Sequence, residues 1–293
     1  MTFQDKFSRI SANQWGFLGH PDRYVKASTH DRKLVRSSTR RQFRTARDIL
    51  QRLNGSYRAK ANRGLLLADD VGLGKTTVAA LVAWVFASAS GKTQRRVRIL
   101  SPNDVMKRRW EEEMKAHVSL LAEVAPHLSV SDSQIKVGKS AVSKLHSGAI
   151  QITTHSYATK GGNLSCDLLI VDEAHRAKGD ASMFSRALRR QSKRAGRILI
   201  LTATPFSIHL EELVRMLQLI GGNDASGAVK AYSRELHRFY TTNSSRSVDD
   251  MARRLVNKAK CAIEALKPFV IRHGIDDLTQ TEQRAFGKHI DTP

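Results

Sequence analysis

Residues Asp69-Asp70-Val71-Gly72-Leu73-Gly74-Lys75-Thr76 follow directly on an apolar run at 64–68, Gly-Leu-Leu-Leu-Ala. A buried strand that opens into a glycine-rich turn ending in Lys-Thr is a cradle for phosphate. Gly72 and Gly74 free the backbone to turn N–H groups toward a polyphosphate, Lys75 reaches its terminal phosphates, and the Thr76 hydroxyl is placed to hold Mg2+. Asp70, Val71, Leu73 and Thr77 complete the expected wrapping of the nucleotide. The apolar stretch after Thr76 reads as a buried helix whose N-terminal dipole favours the anion. A second group, Asp172-Glu173-Ala174-His175, stands behind the apolar run 168–171. Hydrolysis of a nucleoside triphosphate needs one carboxylate for the Mg2+ shell and a second group to orient or deprotonate water. Adjacent side chains at a strand's end diverge, so Asp172 is expected to serve the metal and Glu173 the water. His175 either couples the γ-phosphate to the neighbouring strand or bonds locally. A third group, Thr202-Ala203-Thr204-Pro205, again follows a strand-like run. Its hydroxyls, Thr202 and Thr204, could relay the nucleotide state to the acidic segment.

These groups work together only if strands deliver them to one edge. Short β-branched runs at 97–100, 149–154, 166–171 and 197–202 alternate with helical stretches, including a charged one at 104–117. That rhythm predicts an α/β domain with a parallel sheet covered by helices on both faces. Ligands of such sheets bind at the carboxyl ends of the strands, where all three polar groups fall. A further helical stretch is expected at 228–266, and flexible spots at 159–163, 221–227 and 241–247. No internal repeat or low-complexity linker is present.

Charge points to a polyanionic partner. The 293 residues carry a formal net charge of +22, and 41% are hydrophobic, which suffices for a full core. Residues 1–63 hold fifteen Lys or Arg against four Asp, densest at Arg32, Lys33, Arg36, Arg40, Arg41, Arg44 and Arg47. A second cluster comprises Arg186, Arg189, Arg190, Lys193, Arg194 and Arg197. Beside a nucleotide site, both favour salt-dependent contacts to a phosphate backbone, although either alone reads equally as a solvated face. Few aromatics interleave with them, so no base-stacking platform is expected. The longest uncharged stretch, 76–91, is short for a bilayer span and rich in Ser, Thr and Ala. No secretory signal pattern opens the chain. The two cysteines, Cys166 and Cys261, make neither a disulfide framework nor a zinc spacing. A cytoplasmic protein without membrane contact is the expectation.

Taken together, the three groups resemble the first RecA-like lobe of a superfamily-two helicase or translocase, closest to the Swi/Snf-like branch. The phosphate loop resembles that branch's first motif, Asp172-Glu173-Ala174-His175 its second, and Thr202-Ala203-Thr204-Pro205 its third. Arg41-Gln42 resembles the glutamine motif, which implies that Gln42 reads the adenine edge and that the nucleotide is ATP. Ser101-Pro102-Asn103 with Trp110, and Thr153-Thr154-His155-Ser156, resemble segments that touch the nucleic-acid backbone. Pro102, Asn103, Arg109, Thr154 and His155 are the implied contacts. Glu211-Glu212-Leu213 and the stretch 267–272 resemble the tail of the first lobe. The resemblance covers about residues 38–273. It implies a basic extension over 1–37, a RecA-like ATP-binding lobe over 38–220, and a helical extension over 221–293 leading toward a second lobe. It further implies ATP and Mg2+ as ligands and tracking along duplex DNA without full strand separation.

The family hydrolyses ATP between two lobes, and the second supplies arginines to the transferred phosphoryl group. Only twenty-one residues follow Arg272, and no Gln-x-x-Gly-Arg-x-x-Arg pattern occurs. The expected chain is therefore one lobe whose partner lies on another segment or another protein. Three readings stay open: the ATP-binding lobe of a DNA-translocating motor, a nucleic-acid-binding regulatory subunit that binds ATP without turning it over alone, and a RecA-fold NTPase of another kind.

Overall fold

The computed structural model describes residues 18, 32–54, 62–88, 95–124, 135–137, 150–160, 165–176, 182–202, 210–241, 248–280 and 282–283. In chain order the elements are α1 (Arg32–Asn54), β1 (Gly64–Leu67), α2 (Lys75–Ala87), β2 (Val97–Ser101), α3 (Asp104–Val124), β3 (Ile135–Val137), β4 (Ile150–Thr154) and α4 (His155–Lys160). There follow β5 (Cys166–Asp172), a 3-10 turn (Ala174–Arg176), α5 (Met183–Arg194), β6 (Ala195–Leu201), α6 (Leu210–Leu219), α7 (Asn223–Thr241), α8 (Val248–Leu266), β7 (Val270–Ile271) and a second 3-10 turn (Ile275–Asp277).

The strands form one seven-stranded sheet in the order β3-β4-β2-β5-β6-β1-β7. Every pairing is parallel, so all carboxyl ends lie along one edge. Successive side chains divide between two cores, as the two-residue period of a strand requires. Leu65, Leu67, Leu168, Ile170, Leu199 and Leu201 pack with α1, α2 and α3 on one face. Leu66, Leu169, Val171, Ile198 and Ile200 pack with α5, α6 and α7 on the other. Helix α2 is buried from Val78 to Ala87, a run whose only polar side-chain group is the indole N–H of Trp84. Helices on both faces of an all-parallel sheet make the α/β architecture that the sequence pattern predicts.

Several boundaries differ from the sequence expectation. Helix α1 begins at Arg32, so residue 38 lies inside it. β6 begins at Ala195 with no loop after α5, two residues before the expected start. The expected flexible segment at 221–227 is mostly helix: Gly221 takes a left-handed φ of 84° as the chain leaves α6, and α7 starts at Asn223. The stretch 228–266 spans parts of two helices. β3 and β7 have no counterpart among the expected strands. β7 pairs with β1 through Leu66–Val270 and Leu67–Ile271, so residues beyond 221 return to the sheet beside the phosphate loop. Among the described residues, no helix is long and apolar enough to cross a membrane.

Candidate active site

Helix α2 starts at Lys75, and the loop before it bends where glycine is needed. Gly72 and Gly74 adopt φ of 84° and 81°, in the left-handed region that side chains disfavour. A Cβ at Gly74 would also collide with the Gln42 amide, so α1 lies directly against the cradle. Lys75 Nζ donates to the carbonyls of Asp69 at 2.7 Å and Asp70 at 2.9 Å. Its pKa is lowered by burial, which outweighs the opposing charges of Asp69, Glu173, Asp172 and Asp70. Thr76 is half-buried at the first turn of α2, and Val71 and Gly72 are exposed. The Thr77 hydroxyl is turned away from the loop and donates to Glu113 Oε1 at 2.5 Å.

The acidic segment reaches the same edge from β5, two strands from β1. Asp172 is buried, and its pKa is raised above the usual carboxylate range by desolvation. A hydrogen bond from Trp110 Nε1 to Asp172 Oδ2, 2.9 Å long, opposes that rise, as does the charge of Lys75. Glu173 follows with φ of 50°, a left-handed conformation that costs a non-glycine residue about 1 kcal/mol. Its buried Oε2 lies 3.0 Å from His175 Nδ1 without an aligned hydrogen bond. His175 Nδ1 also lies 3.5 Å from Thr202 Oγ1 at the end of β6. Thr204 lies outside the described residues.

The segments expected at a nucleic-acid backbone are built differently. Asn103 is exposed, but its Oδ1 accepts from Met106 N at 2.8 Å and caps α3. Thr154 Oγ1 lies 3.0 Å from Ser156 Oγ and accepts from Tyr157 N, at the start of α4. His155 is buried and stacks on Phe184 with centroids 4.0 Å apart. Trp110 is wholly buried, so it cannot touch a backbone in solvent; its N–H goes to Asp172 instead. Arg109 and its neighbour Arg108 are exposed, and Pro102 is half-buried beside them.

Residues 30–284 match the SNF2-related domain family. The chain belongs to that family. It is 31% identical over 195 residues to the Arabidopsis thaliana protein CHROMATIN REMODELING 25, covering 63% of this chain and 21% of that one. It is 32% identical over 164 residues to the DNA repair and recombination protein RAD54 of Oryza sativa subsp. japonica, covering 53% of this chain and 16% of the relative. The SNF2-related domain thus spans about a fifth or less of the length of these relatives. Among solved structures it is similar to the Sulfolobus solfataricus SWI2/SNF2 ATPase core in complex with dsDNA. That similarity has a TM-score of 0.55 at 20% identity and covers 82% of this chain and 46% of the other. It shows that the fold is that of an SWI2/SNF2 core's RecA-like lobe.

Two features of this SNF2-related domain escaped the sequence reading. Arg41, read there both within a basic run and beside Gln42 in the glutamine-motif resemblance, donates from Nη1 to Leu73 O at 2.9 Å and pairs through Nε with Glu282 at 3.4 Å. It holds the phosphate loop. Arg197, counted in the second cluster, donates to Leu53 O at 2.8 Å and is likewise structural. The second feature is the return of the chain after α8. His273 places both its backbone N and its ring Nδ1 2.8 Å from Asp69 Oδ1, and Arg272 lies 3.8 Å from Asp70. The sequence signal for this was the resemblance of 267–272 to the tail of the first lobe, which does not show that the segment pairs with β1 or bonds to Asp69.

Proposed function

We propose that this SNF2-related domain is the ATP-binding lobe of a nucleic-acid-dependent ATPase that couples hydrolysis to movement along duplex DNA. The observation that carries the reading is the meeting of Lys75 with Asp172 and Glu173 at one edge of the sheet, close enough for their charges to act on one another. The residues fit Mg2+ and ATP: the loop holds two left-handed glycines, Gln42 lies against Gly74, and the buried carboxylate of Asp172 lies within reach of the lysine's charge.

In this reading the backbone from Asp70 to Thr76 wraps the phosphates, with Thr77 contributing through the start of α2. Lys75 exchanges its two carbonyl partners for phosphate oxygens, a trade of neutral acceptors for charged ones. Thr76 and Asp172 would hold Mg2+, which would neutralise charge on the phosphates. Glu173 orients the attacking water and takes its proton. His175, Thr202 and Thr204 report the state of the γ-phosphate to the end of β6. Gln42 selects adenine. Duplex DNA lies across the ends of β2 and β4, with Arg109, Pro102 and Asn103 nearest; Thr154 and His155 shape the support beneath. Arg272, paired with Asp70, steadies the loop, and the arginines at the transferred phosphoryl group come from a second RecA-like lobe, on the same protein or a partner.

ATP turnover by this chain with and without duplex DNA, using Lys75→Ala as the blank, tests the reading. DNA-stimulated turnover above the blank is expected once the second lobe is supplied. Wild-type binding of Mg2+ and ATP no tighter than that of Lys75→Ala would sink the site assignment.

A further inference from the structure

Helix α3 leaves the carboxyl end of β2 and runs for 21 residues. Its N-terminal turn is fixed to the sheet edge: Ser101 Oγ donates to the carbonyls of Asn103 and Thr153, each at 3.2 Å, and Asn103 caps the helix. Arg108 and Arg109 project from the next turn into solvent. Trp110 and Glu113 bond toward the nucleotide end, and Glu113 stands one turn beyond Arg109 on the same side of the helix. Trp110 donates to Asp172 Oδ2 at 2.9 Å, and Glu113 accepts from Thr77 Oγ1 at 2.5 Å. Residues three apart share a helix face, so one stripe of α3 grips both halves of the nucleotide site.

Neither contact is needed for packing alone. A buried aromatic could be phenylalanine, but the indole N–H commits Trp110 to an acceptor, and the acceptor is the buried carboxylate of the acidic segment. The half-buried Glu113 carboxylate accepts from the second residue of α2 after Lys75. A rigid helix tied at one end to exposed cations and at its middle to two nucleotide elements moves all of them when it moves.

We propose that Trp110 and Glu113 are positioning residues that transmit nucleic-acid binding at the N-terminal turns of α3 to the Mg2+–ATP site, through Asp172 and Thr77 respectively. The proposal rests on the function assigned above. It adds a route: a phosphate backbone held by Arg108 and Arg109 biases the tilt of α3, and the tilt sets where the Asp172 carboxylate and the start of α2 stand. Such coupling is reciprocal, so nucleotide must tighten DNA binding by the factor by which DNA tightens nucleotide binding.

The test measures affinity for Mg2+ with a non-hydrolysable ATP analogue, with and without a saturating short DNA duplex, on the full 293-residue chain. Lys75→Ala is the reference for loss of the nucleotide site. The wild type is expected to show a coupling factor of about tenfold. Trp110→Phe keeps the ring and loses the N–H; Glu113→Leu loses the acceptor; Glu113→Gln keeps one. Trp110→Phe and Glu113→Leu are expected to bring the factor close to one while each ligand alone binds within about threefold of wild type. Glu113→Gln is expected to restore most of it. A factor unchanged in both loss variants overturns the proposal, as does an equal weakening of nucleotide binding with and without DNA. Should Trp110→Phe fail to fold, the Glu113 pair decides alone. Wild-type nucleotide binding that Lys75→Ala removes, combined with no coupling to DNA, overturns this route while leaving the nucleotide site standing. Binding that Lys75→Ala does not remove overturns both.

Discussion

The carboxyl ends of β1 and β5 and those of β2 and β4 lie along one edge of the same sheet, yet they spend their polar residues in opposite ways. At β1 and β5 the side chains converge: Lys75 on loop carbonyls, Asp172 on Trp110, and Glu173 beside His175. At β2 and β4 they turn back on their own helices, with Asn103 and Thr154 acting as caps and His155 stacked beneath the surface. The difference is what the two proposed ligands call for. A triphosphate with its metal is small and fixed in shape, so its site needs particular residue types within a few ångströms. A nucleic-acid backbone is long and repetitive, and exposed charge on a rigid support is enough to hold it.

The sharpest way to break this contrast is to remove the centre of the convergent site. With the second lobe supplied, Lys75→Ala is expected to lower ATP turnover about a thousandfold, the scale of losing a preorganised charge at a phosphoryl group. The melting temperature should change little, because the lysine's present partners are two backbone carbonyls already within the loop. Turnover retained by a folded variant would mean that the chemistry lies elsewhere. Glu173→Gln comes next, with turnover expected to fall about a hundredfold as the water loses its base. ATP affinity should be kept, since Asp172 and Lys75 are untouched. A loss of affinity as large as that of Lys75→Ala would make Glu173 a binding group and not a base.

The same contrast explains what the sequence disclosed. The run 64–68 followed by two glycines and Lys-Thr was legible because strand, turn and helix each have a distinct chemical signature there. The alternation within Leu168-Leu169-Ile170-Val171 was legible as a strand buried on both faces. β3 and β7 were not, because strands of three and two residues carry too few positions to show a period. The link from Trp110 to Asp172 joins residues 62 apart, and a tryptophan at helical spacing reads equally well as core. Arg41 was misjudged for a related reason: a run of arginines shows charge, while the orientation of each depends on packing that only the folded sheet defines.

That misjudgement yields a discriminating pair. Arg108→Glu combined with Arg109→Glu is expected to weaken duplex binding and to flatten the dependence of log affinity on log salt by about two, if each contacts one phosphate. Arg41→Ala should leave that slope unchanged and weaken nucleotide binding several-fold, because it releases Leu73 O and Glu282. Equal salt slopes for the double variant and wild type would remove the N-terminal turns of α3 from the interface. A changed slope for Arg41→Ala would put the basic face of α1 into it.

The smallest expected effect concerns the strand that returns beside the phosphate loop. The His273 pKa is raised from its ordinary 6.5 chiefly by the hydrogen bond to Asp69, with burial and Arg41 opposing and Asp277 assisting. A histidine whose folded pKa exceeds its unfolded value binds its proton more tightly when folded. Its contribution to stability is therefore complete below about pH 6.5 and declines as pH rises through the raised folded value. Unfolding by urea across that window should show stability falling with pH. His273→Gln, which can still donate to Asp69 but cannot titrate, should flatten this part of the profile. An identical slope in the variant would show that the strand is held to Asp69 by the backbone bond from residue 273 and by β7 pairing, with no share from the ring. A flattened slope would instead make Asp69 the point where the convergent site reaches outward, since the residue whose carbonyl holds Lys75 would also hold, through its carboxylate, the chain as it leaves the sheet.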